Sequence, residues 1–159
     1  MKNSIEAICV INQNNIKGTI IFKENHIKKN IDIIINLSGL TPGLHGFHIH
    51  EYGDLREGCA SLCNHYNPKN KKHGGPNDKE RHMGDLGNIK VNNKGICKTK
   101  FSDKIIKLRG KYNIIGRSVI IHEDEDDLGK GGHKDSCTTG HAGSRIACGI
   151  IGYSKNNKC

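Results

Sequence analysis

Two histidines one residue apart, His48 and His50, lie in the short and largely apolar run Gly43–Glu51. On a β-strand, side chains two positions apart project from the same face, so both imidazoles face one way and Phe47 and Ile49 face the other. A pair of converging imidazoles suits a borderline transition metal such as copper or zinc. Because such pairs also occur on ordinary strand faces, the metal-site prediction requires further ligands elsewhere in the chain.

Further candidate ligands follow in a long segment without strand or helix periodicity, from Glu51 to about Met83, and at its exit. They are His65, His73, His82 and Asp85, at spacings of eight, nine and three residues. These spacings do not fit a zinc finger, but they are typical of a loop that wraps around an ion with nitrogen and carboxylate ligands. His122, at the end of a predicted strand, could return to the His48/His50 pair. Each histidine alone could be a surface or structural residue, but together they predict a metal site.

The elements that must position these ligands are predicted to be strands. Apolar and alternating stretches bounded by Gly, Pro and Asn predict strands at 5–11, 16–22, 30–37, 43–51, 86–91, 96–101, 114–122 and 145–153. Two long loops, about 51–85 and 123–144, separate some of them. We therefore predict an all-β fold, an eight-stranded antiparallel Greek-key β-barrel or sandwich, and a single domain over residues 1–159.

Composition limits the classes of function. The chain of 159 residues has no apolar run long enough to cross a membrane, and Glu6 interrupts the short hydrophobic segment near its start, so we expect no secretory signal and a cytoplasmic protein. The formal charge of +9 would attract anions, but the lysines are dispersed and aromatic residues are few, so nucleic acid is not an expected partner. Seven cysteines, an odd number, do not indicate a secreted disulfide framework.

Six stretches together resemble the copper/zinc superoxide dismutases, in particular the cytosolic eukaryotic type. They are 43–51 (GLHGFHIHE), 72–76 (KHGGP), 80–88 (ERHMGDLGN), 114–117 (IIGR), 126–132 (DDLGKGG) and 140–149 (GHAGSRIACG). The similarity covers nearly the whole chain, and the stretches are long enough to be specific.

The resemblance implies two metal sites per subunit, one for copper and one for zinc. The copper ligands would be His48, His50, His65 and His122, and the zinc ligands His65, His73, His82 and Asp85. His65 would then bridge the two metals as an imidazolate, because two cations make the loss of its second proton feasible. His45 is not a predicted ligand, since strand parity places it on the Phe47 face.

The resemblance also implies roles for residues around the metals. Asp126 would hydrogen-bond to His48 and His73 and fix their orientation. Arg145 would guide a small anion to copper. Cys59 and Cys148 would form a disulfide that ties the first loop to the last strand, and no role is predicted for Cys63, Cys97, Cys137 and Cys159.

The implied activity is disproportionation of superoxide to dioxygen and hydrogen peroxide by Cu(II)/Cu(I) cycling, with His65 as a proton donor, in antioxidant defence. A homodimer and a copper chaperone as a partner are implied as well. Two positions in the second loop depart from the family pattern: Lys134 stands where an acid is common, and Thr138 where a base is common.

Two alternatives belong to other functional classes. A copper chaperone or an inactive decoy of the same fold would lose copper ligands or Arg145, and all of these residues are present. A basic nucleic-acid-binding β-domain with structural zinc would not need the His48/His50/His122 set and would need aromatic stacking residues. Metal analysis combined with an activity assay separates these alternatives from the enzyme.

Overall fold

The computed structural model describes residues 4–156, in which the chain forms eight strands. Cys159 and the two ends of the predicted domain lie outside the described residues. The strands are β1 Glu6–Gln13, β2 Ile16–Asn25, β3 Asn30–Ser38, β4 Gly43–His50, β5 Asp85–Val91, β6 Ile96–Asp103, β7 Ser118–His122 and β8 Arg145–Tyr153. A 3-10 turn at Ala60–Leu62 and a single-turn helix α1 at Ser136–Thr139 lie in the two long loops.

All strand pairs are antiparallel, in the order β5-β4-β7-β8-β1-β2-β3-β6. The two outer strands of this order, β5 and β6, are joined by the tight turn 92–95, in which the Asn92 amide donates to the Ile96 carbonyl at 3.0 Å. That turn brings the ends of the sheet together into a nearly closed barrel. The connections from β3 to β4 and from β6 to β7 cross between non-neighbouring strands, which is the Greek-key pattern. The predicted fold class is confirmed.

The barrel core follows from alternation along the strands. In β3, Ile31, Ile33, Ile35 and Leu37 are buried while the residues between them are more exposed. Burying one face of each strand removes these aliphatic side chains from water, and this is the main favourable term for a core without Trp. No helix within residues 4–156 has the length and apolar character needed to cross a membrane.

The predicted start of the seventh strand was wrong. β7 begins at Ser118 rather than Ile114, because the preceding residues form a turn in which the Arg117 amide donates to the Ile114 carbonyl at 3.1 Å and Gly116 has a φ of 79°. Ile114 is nevertheless fully buried. A buried apolar residue just before a strand has the same sequence pattern as the strand itself, which explains the error.

Candidate metal centre

β4 places His48 and His50 side by side on one face, as their spacing predicts. Both are buried, and their ring centroids are 6.4 Å apart. β7 pairs with β4, with His48 opposite Ile120, so the end of β7 brings His122 to the same face, its ring centroid 4.8 Å from that of His48.

His65 reaches the same place because its loop is bonded to β4. The Tyr66 amide donates to the Ile49 carbonyl at 2.8 Å, and the Ile49 amide donates to the Gly84 carbonyl at 2.9 Å. An isolated β-bridge pairs His65 with His50. The backbone of the long first loop therefore pairs with β4 at this point, which places the His65 imidazole next to those of β4.

Four histidines form the first cluster, each offering a ring nitrogen within 4.8 Å of the others: His48, His50, His65 and His122. One nitrogen of each is buried without a hydrogen-bond partner, namely His48 Nδ1 and the Nε2 atoms of His50, His65 and His122. An unsatisfied buried polar atom costs about 1–3 kcal/mol, so four in one place call for a common partner. A transition metal ion fits this donor set.

The opposite nitrogens of these rings are held by other groups. His48 Nε2 lies 2.7 Å from Asp126 Oδ2, and His50 Nδ1 lies 2.9 Å from the Cys63 carbonyl. His122 Nδ1 lies 3.1 Å from the Gly143 carbonyl. Such bonds fix the tautomer and the orientation of each ring and leave the other nitrogen free to bind a metal.

The second cluster gathers three imidazoles around one carboxylate: His65, His73, His82 and Asp85. The Nδ1 atoms of His65 and His82 lie 2.8 and 3.1 Å from Asp85 Oδ1, and His73 Nδ1 lies 3.0 Å from Oδ2. Three nitrogens and one carboxylate, all buried, match the tetrahedral ligand sets of zinc.

His65 belongs to both clusters. Its Nδ1 faces Asp85 in the second cluster, and its Nε2 is one of the unpartnered nitrogens of the first. One imidazole therefore lies between the two sites, with one nitrogen available to each.

Asp126 connects the two clusters a second time. Its Oδ2 accepts from His48 and its Oδ1 lies 2.8 Å from His73 Nε2. The Asn88 side chain holds the Asp126 backbone with two bonds: its Nδ2 donates to the Asp126 carbonyl at 2.8 Å, and its Oδ1 accepts from the Asp126 backbone amide at 2.8 Å. Although Asp126 stands in the acidic run 123–127, it is only 1% exposed.

Sequence reasoning did not single out two residues around Asp126. Asn88 has the backbone role just described, and Gly140 has a φ of 70° and stands where an added Cβ would collide with Asp126 Oδ1 and His73 Nε2. Asn88 and Gly140 both lie inside stretches used for the family resemblance, but nothing in their types signals a contact across the loops.

Burial sets the protonation of the first cluster. It lowers the pKa of His48 to about 4, of His65 to about 3 and of His122 to about 4, and it holds the pKa of His50 well below its usual value. These imidazoles are neutral at pH 7, so their lone pairs are available to a metal without prior loss of a proton.

The second cluster behaves differently at His73. Burial opposes its charge, but the hydrogen bond to Asp126 and the nearby Asp85 carboxylate outweigh burial and raise the pKa of His73 to about 9. Burial opposes the ionisation of Asp85, but hydrogen bonds with His65, His73 and His82 hold its pKa below its usual range. Hydrogen bonds with His48 and His73 do the same for the pKa of Asp126. Without a metal, His73 is therefore a cation between two carboxylates at neutral pH.

We therefore predict that zinc binding to the metal-free protein releases about one proton from His73 at pH 7.5, because a coordinating nitrogen must lose its hydrogen. The release should fall towards zero above about pH 10, where His73 is already neutral. Calorimetric zinc titrations in buffers of different ionisation enthalpy measure this proton count. Equal release at pH 7.5 and pH 10 would contradict the assignment.

An open cleft of about 500 Å³ leads to the first cluster, lined among others by His50, His65, His122, Thr138 and Arg145. Arg145 Nη1 donates to the Cys59 carbonyl at 2.8 Å, and Nη2 donates to the Cys63 carbonyl at 2.6 Å. The guanidinium is thus held by loop carbonyls at the edge of the cleft, where a small anion would meet a fixed positive charge next to the histidines.

Cys59 and Cys148 form a disulfide, 89 residues apart in sequence, with a Cα–Cα distance of 5.8 Å. The disulfide ties the loop segment 59–63, whose carbonyls bind the Arg145 guanidinium, to β8, the strand in which Arg145 lies. Gln13, which sequence reasoning did not single out, accepts from the Cys148 amide at 3.1 Å through its side-chain oxygen. Cys63 is a free and exposed thiol whose carbonyl, rather than its sulfur, contacts the site.

His45 lies outside both clusters, as predicted. Its ring nitrogens lie 2.8 Å from the carbonyls of His122 and Thr41. It supports the end of β7 from the inside of the barrel and offers no nitrogen to either metal cluster.

The family model described as copper/zinc superoxide dismutase (SODC) matches residues 16–151. The chain belongs to the copper/zinc superoxide dismutase family. It is 51% identical over 156 residues to a superoxide dismutase [Cu-Zn] of Paramecium bursaria Chlorella virus 1, an alignment that covers 98% of this chain and 82% of the relative. It is 49% identical over 156 residues to superoxide dismutase [Cu-Zn] 3 of Arabidopsis thaliana, covering 98% and 94% of the two chains.

One further relative and one solved structure are also similar to this chain. An extracellular superoxide dismutase [Cu-Zn] of Drosophila melanogaster is 53% identical over 137 residues, covering 86% of this chain and 76% of the relative. The crystal structure of the clock protein EA4 superposes with a TM-score of 0.92 at 43% identity, covering 97% of this chain and 98% of that one.

As a copper/zinc superoxide dismutase by family, the chain is an enzyme that converts superoxide to dioxygen and hydrogen peroxide, with copper and zinc as its cofactors. The histidine clusters are compatible with both metals. These findings favour the enzyme over the copper chaperone or decoy and over the nucleic-acid-binding domain.

Proposed function

We propose that the first cluster holds copper through His48, His50, His65 and His122, and that the second holds zinc through His65, His73, His82 and Asp85. The observation that carries this assignment is the position of His65, with one nitrogen available to each cluster. Copper, when bound, supplies reversible one-electron redox chemistry, which zinc lacks. Metal analysis of the purified protein together with superoxide turnover tests the proposal. Zinc without copper, and no turnover after copper loading, would contradict it.

His65 has a second function in this proposal, as the proton donor. With Nδ1, which faces Asp85, held by zinc and Nε2 free of copper, the neutral ring would carry its single proton on Nε2, at the edge of the cleft where the substrate arrives. A proton held there is within the site that binds the anion, and the product peroxide needs two protons. The other proton comes from solvent through the open cleft.

Arg145 binds and orients superoxide in the proposed mechanism. We expect Arg145→Ala to lower kcat/KM about tenfold, since it removes one charge-assisted hydrogen bond to the anion. The kcat/KM of Arg145→Lys should lie between those of the unmodified enzyme and Arg145→Ala, because lysine keeps the positive charge but lacks the planar guanidinium. Pulse radiolysis at matched copper content measures the rates, and a fully active Arg145→Ala enzyme with normal metal content would remove Arg145 from the mechanism.

The net charge of +9 contributes to the approach of superoxide in this proposal. We expect the association rate with superoxide to fall as ionic strength rises, because salt screens exposed charges beyond about 10 Å at 0.1 M. Lys134, exposed in the second loop next to the cleft-lining Asp135, supplies positive charge there. A rate that is flat from low to high ionic strength would show that steering plays no part.

We further propose that the chain is a single domain over residues 1–159 and a cytosolic eukaryotic-type enzyme of antioxidant defence, located in the cytoplasm and loaded by a copper chaperone. A homodimer is supported by exposed apolar side chains on β1, just after β4 and at the end of β8. Val10 is 59% exposed, Tyr52 55% and Tyr153 62%. Sedimentation at micromolar concentration tests the dimer, and substitution of Tyr52 and Tyr153 by Ser should shift it towards monomer.

A further inference from the structure

A cavity of about 680 Å³ is lined by residues that belong to neither metal cluster. It is bounded by the loop segment 69–83 on one side and by residues 102–112, at the end of β6 and beyond, on the other. We call it the basic pocket, after the six cationic residues that line it: Lys69, Lys71, Lys79, Arg81, Lys104 and Lys107.

The positive charge of the basic pocket is poorly compensated. Two carboxylates also line it, and both are already bonded: Asp103 accepts from Arg81 at 2.6 Å, and Asp78 pairs with Lys130 at 3.1 Å. Within residues 4–156, none of the five lysines of the pocket forms an ion pair. Lys107 donates only to a neutral carbonyl, that of Lys104. The lysine charges are therefore available to a ligand.

The floor of the basic pocket is rigid and also cationic. Arg81 is only 4% exposed, its Nη1 donates to the Pro76 carbonyl at 2.6 Å, and its Nε is buried without a partner. Asp103, the counter-ion of Arg81, shares its other oxygen with the backbone amides of Ile105 and Ile106, each at 2.8 Å. This bonding fixes the two walls of the pocket relative to each other.

One wall also carries an aromatic ring. The Lys69 ammonium lies 5.7 Å from the centroid of Tyr112, which is half-buried against the barrel core. The pocket therefore offers several cations spread over two walls and one flat apolar surface. A small monoanion would meet only one or two of these cations, whereas an extended, multiply charged anion can meet several at once.

We propose that the basic pocket binds a small molecule that carries a chain of phosphate groups, such as inorganic tripolyphosphate or the triphosphate of a nucleotide. The phosphate chain lies between Lys69 and Lys79 on one wall and Lys104 on the other, above Arg81. Its binding holds the loop segment that carries His73 and His82 against the residues that follow β6. The site is separate from the superoxide cleft and is independent of the metal assignments.

The test is calorimetric titration of the metal-loaded enzyme with inorganic tripolyphosphate at 0.15 M salt, with metal content measured before and after. The double variant Lys69→Ala/Lys104→Ala should weaken binding by about tenfold or more, since each lysine supplies a charge-assisted bond. The matched control Lys17→Ala/Lys94→Ala removes two exposed lysines elsewhere and the same net charge, and it should bind within about twofold of the unmodified enzyme.

Several outcomes would overturn the proposal. They are no saturable binding, equal weakening by both double variants, and binding that survives in Lys69→Ala/Lys104→Ala but is lost in Arg145→Ala, which would place the anion at the metal cleft.

Tighter binding of a single-stranded oligonucleotide, weakened by the same pocket substitutions, would replace the small ligand by nucleic acid. Equal affinity for ATP and tripolyphosphate would support the phosphate chain alone as the ligand, and higher affinity for ATP, lost in Tyr112→Ala, would support a nucleotide.

Discussion

Replacement of His122 by alanine is expected to lower superoxide turnover by more than about 100-fold, the upper end of the loss caused by removing a partner that merely orients a metal ligand. His122 contributes a nitrogen to the first cluster and none to the second. Copper binding should therefore fail or weaken strongly while zinc remains bound. Metal analysis and turnover, measured on the same sample, check both parts.

The control for His122→Ala is His26→Ala, which removes an exposed imidazole that belongs to neither cluster. It should keep full activity and both metals. If a copper-loaded His122→Ala enzyme kept half of the activity, the proposed copper ligand set would be wrong. If it lost zinc as well, the two sites would be coupled more tightly than their shared His65 and Asp126 imply.

Loss of the Cys59–Cys148 disulfide is expected to have the largest effect on stability. The bond closes a loop of 89 residues, and constraining a loop of that size in the unfolded chain stabilises the fold by about 4 kcal/mol. Cys148→Ser should lower the free energy of unfolding of the metal-free protein by about that amount, as measured by denaturant titration under non-reducing conditions. Because Arg145 Nη1 binds the Cys59 carbonyl, activity should fall as well.

Two comparisons make the disulfide prediction specific. Cys137→Ser removes an exposed free thiol of the second loop and should change stability by less than about 0.5 kcal/mol, as surface substitutions usually do. A reductant should destabilise the unmodified protein to the level of Cys148→Ser and should leave that variant unchanged. Equal stability of the oxidised and reduced proteins would contradict the expected contribution of the bond.

The zinc cluster shows why certain parts of the site were predictable and others were not. The chain spacing of His65, His73, His82 and Asp85 suggested a loop wrapped around an ion, and the structure brings all four together. Asn88 bonds to the Asp126 backbone from 38 residues away, and Gly140 leaves the space that Asp126 Oδ1 and His73 Nε2 occupy. No local pattern reports such a contact, since it exists only after the loops have packed.

The error at β7 has a related cause. Burial produces the same run of apolar residues in a strand and in a turn that precedes it, and only backbone pairing distinguishes the two. Ile114 is buried in the core, yet its carbonyl accepts from Arg117 in a turn instead of joining a neighbouring strand. The basic pocket was equally hidden, because its lysines come from two segments that are distant in sequence.

By itself, the sequence determined the all-β class, the family resemblance, and the common face of His48 and His50, because strand alternation is a local property of the backbone. Only the tertiary structure decided that His65 offers a nitrogen to each of two clusters and that Asp126 lies buried between them rather than exposed in an acidic run. It also decided that the lysines of the basic pocket face one cavity. These facts depend on which distant segments the barrel brings together and on which side chains that packing buries.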